Sequence, residues 1–287
     1  MQFLIIGGPE RPGHPALSHD AAARHRYSPD MTELVHLETA NGVATITLDS
    51  PHNRNALSRQ LQSELLGHLE AAIASPEVRV IVLTATGTVF CSGADLKEQR
   101  EANVAGAATG PAALGAILET IWNSPTPVVG RINGPARAGG LGLIAACDIS
   151  VGIEDTTFAI TEVRIGVIPA IISVVLLRKI PLTTITELFL TGEPFTGSDA
   201  ARYGLLNAAV PADELDDTVT RYVASIRQGA PGALAGAKRL IREVPSMEVH
   251  HAFEETARRS AAHFASEEAR EGMTAFAEKR PPRWPNS

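Results

Sequence analysis

The sequence predicts an α/β protein, and three observations carry that expectation. Val43-Ala44-Thr45-Ile46-Thr47-Leu48 alternates with a period of two, the pattern of a strand with one covered face. Val78-Arg79-Val80-Ile81-Val82-Leu83 is almost wholly apolar, as expected of a strand buried on both sides in a parallel sheet. Between them, Leu57, Leu61, Leu65 and Leu69 recur every four residues, a helical stripe with Asn55 ahead of it as a candidate cap. Strand, helix and strand in succession is the recurring unit of α/β domains.

The same unit recurs downstream. Pro127-Val128-Val129-Gly130-Arg131-Ile132 reads as a strand, followed by a glycine-rich turn and an apolar helix ending near Cys147. Ile149 to Val151 and Thr157 to Ile160 add short strands. Beyond about Ser198 the expectation is helices alone, over 212–227, 232–243 and 247–279, forming a layer for packing or subunit contact. Residues 1–31 differ from the rest. Gly7-Gly8-Pro9, Pro12-Gly13 and Pro15 break any periodicity there, and His14, His19 and His25 read as solvated side chains rather than a metal site. The expected division is an extension over 1–31, an α/β core over 32–205 and a helical C-terminal region over 206–287.

Composition removes several function classes. Of 287 residues, 44% are hydrophobic and 20% charged, which favours a packed core over disorder. The 25 basic and 32 acidic residues leave a net charge of −7, unsuited to binding nucleic acid through bulk electrostatics. No apolar run is long enough to span a bilayer, and the first residues lack the charged and apolar regions of a signal peptide. Cys91 and Cys147 have no partner at metal-ligand spacing. Both read as reduced, buried thiols, so a cytoplasmic location is expected. Phosphate-loop, zinc-protease and serine-hydrolase motifs are absent from the sequence.

Three segments carry candidate chemistry. The first is Phe90-Cys91-Ser92-Gly93-Ala94-Asp95-Leu96, after a buried strand. The second runs from Asn133-Gly134-Pro135-Ala136-Arg137-Ala138-Gly139-Gly140-Leu141-Gly142 into Cys147-Asp148-Ile149. The third is Phe158-Ala159-Ile160-Thr161-Glu162-Val163-Arg164-Ile165-Gly166-Val167-Ile168-Pro169. Small residues in the first two let backbone N–H groups approach a ligand, and a helix start leaves N–H groups unpaired. Two such turns aimed at one point make an oxyanion hole, worth roughly 3–4 kcal/mol per donor. Glu162 stands alone in an apolar stretch, where burial raises a carboxyl pKa and suits it to general acid/base work.

In this order and spacing the segments resemble the enoyl-CoA hydratase/isomerase (crotonase) superfamily from about Thr32 to the C-terminus. Asn53-Arg54-Asn55-Ala56-Leu57 and the tail Glu271-Gly272-Met273-Thr274-Ala275-Phe276-Ala277-Glu278-Lys279-Arg280 belong to the same likeness. The resemblance implies a spiral of β-β-α units with a helical C-terminal region, assembled as a trimer or hexamer. It implies an acyl-CoA thioester substrate, CoA entering as part of that substrate and no further cofactor or metal. By the same likeness, the N–H groups of Ala94 and Gly139 form the oxyanion hole and Glu162 is the acid/base. Asn53, Arg54 and Ser92 line the CoA pocket, while Phe276 and Lys279 reach CoA, often that of a neighbouring subunit.

One departure matters. Hydratases of the best-known type carry a second glutamate three residues after the oxyanion glycine, and here that position is Gly142. Glu162 alone leaves two chemistries open, water addition to a 2-enoyl thioester or proton transfer from C2 to C4 of a 3-enoyl thioester. The stretch Thr161 to Ser173 is similar to hydratases of branched or carboxylated enoyl-CoAs, so hydration is the leading expectation. A non-catalytic acyl-CoA binder is the third reading. Arg137 reads first as solvent-facing and second as a partner for a substrate carboxylate or a CoA phosphate. Asp148, at the helix exit, is expected to be structural. Gly140-Leu141-Gly142-Leu143-Ile144-Ala145 fits the letter of a dinucleotide fingerprint, but no strand precedes it directly, which argues against nicotinamide binding.

Overall fold

The computed structural model describes residues 32–104 and 110–284; the segment 1–31 and its histidines lie outside the described residues. Nine strands are described: β1 Val35–Ala40, β2 Val43–Leu48, β3 Val80–Ala85, β4 Val128–Ile132, β5 Ala136–Arg137, β6 Ile149–Ile153, β7 Thr157–Ala159, β8 Phe195–Thr196 and β9 Ala208–Val210. The central sheet has the order β1-β2-β3-β4-β6-β9, parallel throughout except for the β1–β2 hairpin. A smaller sheet has the order β5-β7-β8. The architecture is mixed α/β with a largely helical C-terminal region.

Side-chain pattern explains each layer. Ala44, Ile46 and Leu48 of β2 are buried while their neighbours are half-exposed, as the alternation requires. All six residues of β3 are buried, the signature of a strand covered on both faces. One face receives α1, Arg59–Ala74, through Leu61, Leu65 and Leu69, each fully buried in the same core as Ile46 and Leu83. Each such side chain contributes about 1.5–3 kcal/mol of burial. The cap of α1 is Ser58, whose side chain accepts from the Leu61 N–H, and not Asn55. Asn55 instead stitches a loop, accepting from the Ser50 N–H and donating to the carbonyls of Thr86 and Val89.

Helix α2, Leu96–Val104, follows; on that face also lie α3, Gly110–Asn123, and α4, Gly139–Ala146, with α3 packed on both α1 and α4. Then come α5, Ala170–Leu176, α6, Leu182–Thr191, and α7, Gly197–Arg202. The chain beyond Ser198 is not purely helical, because β9 adds an edge to the central sheet beside β6. Nor is the C-terminal region a mere appendage. Helix α8, Leu215–Arg227, covers the sheet's second face by packing Leu215, Val219 and Val223 on Val80, Val82, Val129 and Val151. The remaining helices are α9, Pro231–Glu243, α10, Val249–Phe264, and α11, Glu267–Ala277.

Candidate active site

The three chemistry-bearing segments lie side by side. Cys91 bridges Ala136 in parallel, and Ala136 pairs with Phe158 in parallel. The Arg137 N–H donates to the Cys91 carbonyl at 2.9 Å and the Ala138 N–H to the Ala159 carbonyl at 3.2 Å. Ala94, Gly139 and Glu162 each come within a few residues of the carboxyl ends of these parallel runs. In sheet proteins that is where loops and helix starts converge on a ligand.

The turns meet backbone against backbone. Gly93 has φ +88°, and a Cβ there would lie 3.0 Å from both the Ala138 Cβ and the Arg137 carbonyl, and 3.5 Å from the Gly139 nitrogen. Only glycine meets both demands. The neighbouring Ala94 bridges Leu57, whose N–H donates to the Gly93 carbonyl. Among the described residues, neither the Ala94 nor the Gly139 N–H donates to a protein oxygen. Gly139 opens α4, so its free donor sits at the positive end of a helix. It comes directly after Ala138 at φ 48° and ψ −117°, a conformation that side chains avoid.

Glu162 begins a short 3-10 turn, Glu162–Ile165, three residues beyond Ala159. That spacing spans at most roughly 10 Å from the hydrogen bond that ties Ala159 to Ala138. Its Oε2 is buried with no hydrogen-bond partner. Burial raises the carboxyl pKa above 4.5, offset in part by the N–H groups of Glu162 and Thr161. Two unpaired backbone donors and a desolvated acid form an arrangement suited to polarising a carbonyl and moving a proton beside it.

Around this centre the other expected residues divide. Arg54 and Asn55 are both left-handed, at φ 60° and 53°. The Ser92 N–H donates to the Arg54 carbonyl at 3.0 Å and its hydroxyl to the Asn53 carbonyl at 3.4 Å, so Asn53, Arg54 and Ser92 form one ledge. Phe276, on the last turn of α11, is 87% exposed, and Lys279 lies just beyond it with φ 54°. No hydrogen bond or ring contact joins either to that ledge among the described residues. The position of the missing glutamate is filled. A Cβ on Gly142 would lie 2.7 Å from Ile172 Cγ2 and 3.1 Å from Leu118 Cδ1.

Arg137 is not the solvent-facing side chain first expected. It is half-buried and donates to the Ala136 and Thr157 carbonyls and to Thr157 Oγ1, because the fold turns it back along β7. Asp148 is structural, as expected, held by the Val128 N–H, Lys238 and Arg242. Both cysteines are buried, which pushes each thiol up to about 12. Among the described residues no group of three or more His, Cys, Asp and Glu is placed to hold a metal, and no helix is long and apolar enough to cross a membrane.

The mixed α/β fold, with two unpaired N–H donors and a desolvated acid at the ends of its parallel runs, is the fold of the crotonase class. Residues 38–287 match the enoyl-CoA hydratase/isomerase family, and the chain belongs to it. It is 33% identical over 260 residues to carnitinyl-CoA dehydratase of Shigella flexneri, covering 88% of this chain and 99% of that one. Among solved structures it is similar to AtuE of Pseudomonas aeruginosa, with TM-score 0.83, 34% identity and 87% and 98% of the two chains covered. An enoyl-CoA hydratase of Mycobacterium smegmatis gives TM-score 0.79 at 30% identity, covering 88% of this chain and 98% of that chain.

Proposed function

We propose that the chain is an enoyl-CoA hydratase acting on a 2-enoyl-CoA thioester. The observation that carries the reading is the buried, unpartnered Oε2 of Glu162 in a site with two unpaired N–H donors. The thioester oxygen accepts from the Ala94 and Gly139 N–H groups. Glu162 takes a proton from water as its oxygen bonds to Cβ, the C=C electrons move onto the thioester oxygen as an enolate, and Glu162 returns the proton to Cα. Asn53, Arg54 and Ser92 line the CoA path. Phe276 and Lys279 complete it from a neighbouring copy in a trimer or hexamer. Support for assembly comes from α9–α11, where Ile241, Val249, Phe253, Phe264, Met273 and Phe276 are exposed. The name of the Shigella flexneri relative describes dehydration of a CoA thioester, the reverse sense of the same chemistry.

The filled space at Gly142 favours a second reading, Δ3,Δ2-enoyl-CoA isomerisation with Glu162 as sole proton carrier. Isomerisation needs no second carboxylate to hold water. Purified protein incubated with crotonyl-CoA, 3-methylglutaconyl-CoA and a 3-enoyl-CoA separates the two by mass and absorbance. Gain of one water establishes hydration. Migration of the double bond without added mass replaces it with isomerisation, and binding without either product leaves a thioester carrier.

A further inference from the structure

We propose that Arg137 is a positioning residue that straps β5 to β7 and thereby holds the Gly139 N–H where the enolate oxygen needs it. The inference rests on Gly139 being an oxyanion donor. Its starting point is Ala138, an alanine at φ 48° and ψ −117° immediately before that donor. Such a conformation persists only where the surroundings over-determine it.

The turn is held on both sides. The Arg137 N–H is bound to Cys91, the Ala138 N–H to Ala159, and the Ala138 carbonyl accepts from the Leu141 N–H at 2.9 Å. The β5–β7 ladder that frames these bonds has only two residue pairs. The Arg137 guanidinium lengthens it. Nη1 donates to the Ala136 carbonyl at 2.9 Å and the Thr157 carbonyl at 2.6 Å, and Nη2 donates to Thr157 Oγ1 at 3.0 Å. A planar fork reaches all three oxygens at once, which an ammonium does not. Among the described residues no carboxylate pairs with Arg137, so its donors serve backbone and hydroxyl. Because β7 ends at Ala159 and the chain reaches Glu162 three residues later, the strap also ties the donor to the segment that carries the acid.

The test is a cycle of Arg137→Met, Ala138→Gly and the double variant in the full chain. Two readouts are used, kcat and KM for crotonyl-CoA and the near-ultraviolet absorbance of bound acetoacetyl-CoA enolate, which needs no turnover. Arg137→Met lowers kcat by on the order of tenfold, with KM changed less than about twofold, because orientation and not affinity is lost. The enolate signal weakens in parallel, and Arg137→Lys recovers only part of it. Glycine adopts the Ala138 conformation unaided, so in the Ala138→Gly background the same substitution has at most about a twofold effect. Equal losses in both backgrounds, or no loss from Arg137→Met, overturn the strap. If Arg137→Met does not fold, Thr157→Val removes one of the three acceptors and must show a smaller loss with the same dependence on Ala138→Gly. Enolate binding without crotonyl-CoA turnover sinks the hydratase reading alone and leaves the strap to be decided by absorbance. Absence of both signals in the parent chain overturns both.

Discussion

The two ends of α4 treat their polar groups in opposite ways. At the C-terminal end the Cys147 carbonyl accepts from Lys179 Nζ at 2.6 Å. Asp148 there accepts from the Val128 N–H at 2.8 Å, Lys238 Nζ at 2.6 Å and Arg242 Nη2 at 2.9 Å. Arg242 also stacks on Trp122 at 4.6 Å, and Lys238 donates to the carbonyls of Ile121 and Thr126. Cations at a helix C-terminus complement its dipole as well. At the N-terminal end the Gly139 N–H is unpaired, Ala138 is strained, and the acid beyond β7 keeps a buried oxygen without a partner. One carboxylate is surrounded by donors and holds the fold. The other keeps one buried oxygen without a donor and remains available for chemistry. Residue type does not separate Asp148 from Glu162; their surroundings do.

The largest effect is expected at the satisfied end. Asp148→Ala strands the buried Lys238 and the half-buried Arg242 and removes the acceptor of the Val128 N–H. Breaking one partner of a buried ion network costs roughly 3–5 kcal/mol, so the melting temperature drops by on the order of 10 °C. Burial already depresses the Lys238 pKa against the pull of Asp148, and the substitution removes that pull. A melting temperature within a degree or two of the parent would mean that the network is not what docks α9.

At the unsatisfied end the signs reverse. Glu162→Gln lowers kcat by on the order of 10²-fold with little change in thioester affinity, since only the proton transfer is lost. The same substitution raises stability at neutral pH. Burial raises the Glu162 pKa, so the folded chain keeps a proton that the unfolded chain releases above 4.5. Parent stability is therefore fullest below that pH and declines as pH rises through the folded value, whereas glutamine does not titrate. Melting curves of the two chains should converge toward acid pH and separate at neutrality, the variant melting higher. A variant that melts lower at neutrality, or turns over normally, breaks the contrast between the ends.

Much of this is legible in sequence, and the misses share a cause. Glu162 can be singled out because an acid among Ile160, Val163 and Ile165 is a local anomaly, and the apolar run of β3 marks a doubly covered strand by itself. Asn55 misleads because a polar residue before a leucine stripe looks like a cap, while its partners Thr86 and Val89 lie some thirty residues away. The strand β9 has three residues and no alternation to display, and only its pairing with β6 makes it a strand. Arg137 looks like any surface arginine until β7 is laid beside it. The likeness to relatives flags Gly142 as lacking a carboxylate. That Ile172 occupies the space depends on α5, thirty residues on, and no local pattern reports it.

That occupied space is the next test of the contrast. Gly142→Glu drives a side chain into Ile172 and Leu118 and should destabilise the fold by about 1–3 kcal/mol, as overpacked cores do. Adding Ile172→Ala opens the volume, so the double variant recovers most of the lost stability. If it also hydrates crotonyl-CoA faster than the Ile172→Ala chain alone, a second carboxylate was the limiting absence. Recovery of stability without faster hydration points to an isomerase, whose single acid gains nothing from a second.

The smallest expected effect is the most local. Ala138 carries a side chain at φ 48° and ψ −117°, and holding a non-glycine residue in such a region costs of order 1–3 kcal/mol. Replacing it with glycine removes that strain but frees the unfolded chain, at roughly 0.4–1 kcal/mol. The balance is a net stabilisation of about 1 kcal/mol, read as a rise of a few degrees in melting temperature. This opposes the usual penalty for introducing glycine, so the sign alone is diagnostic. A fall would mean that the turn before Gly139 is not strained, and the N-terminal end of α4 would then differ from the C-terminal end only in its unpaired hydrogen-bonding groups.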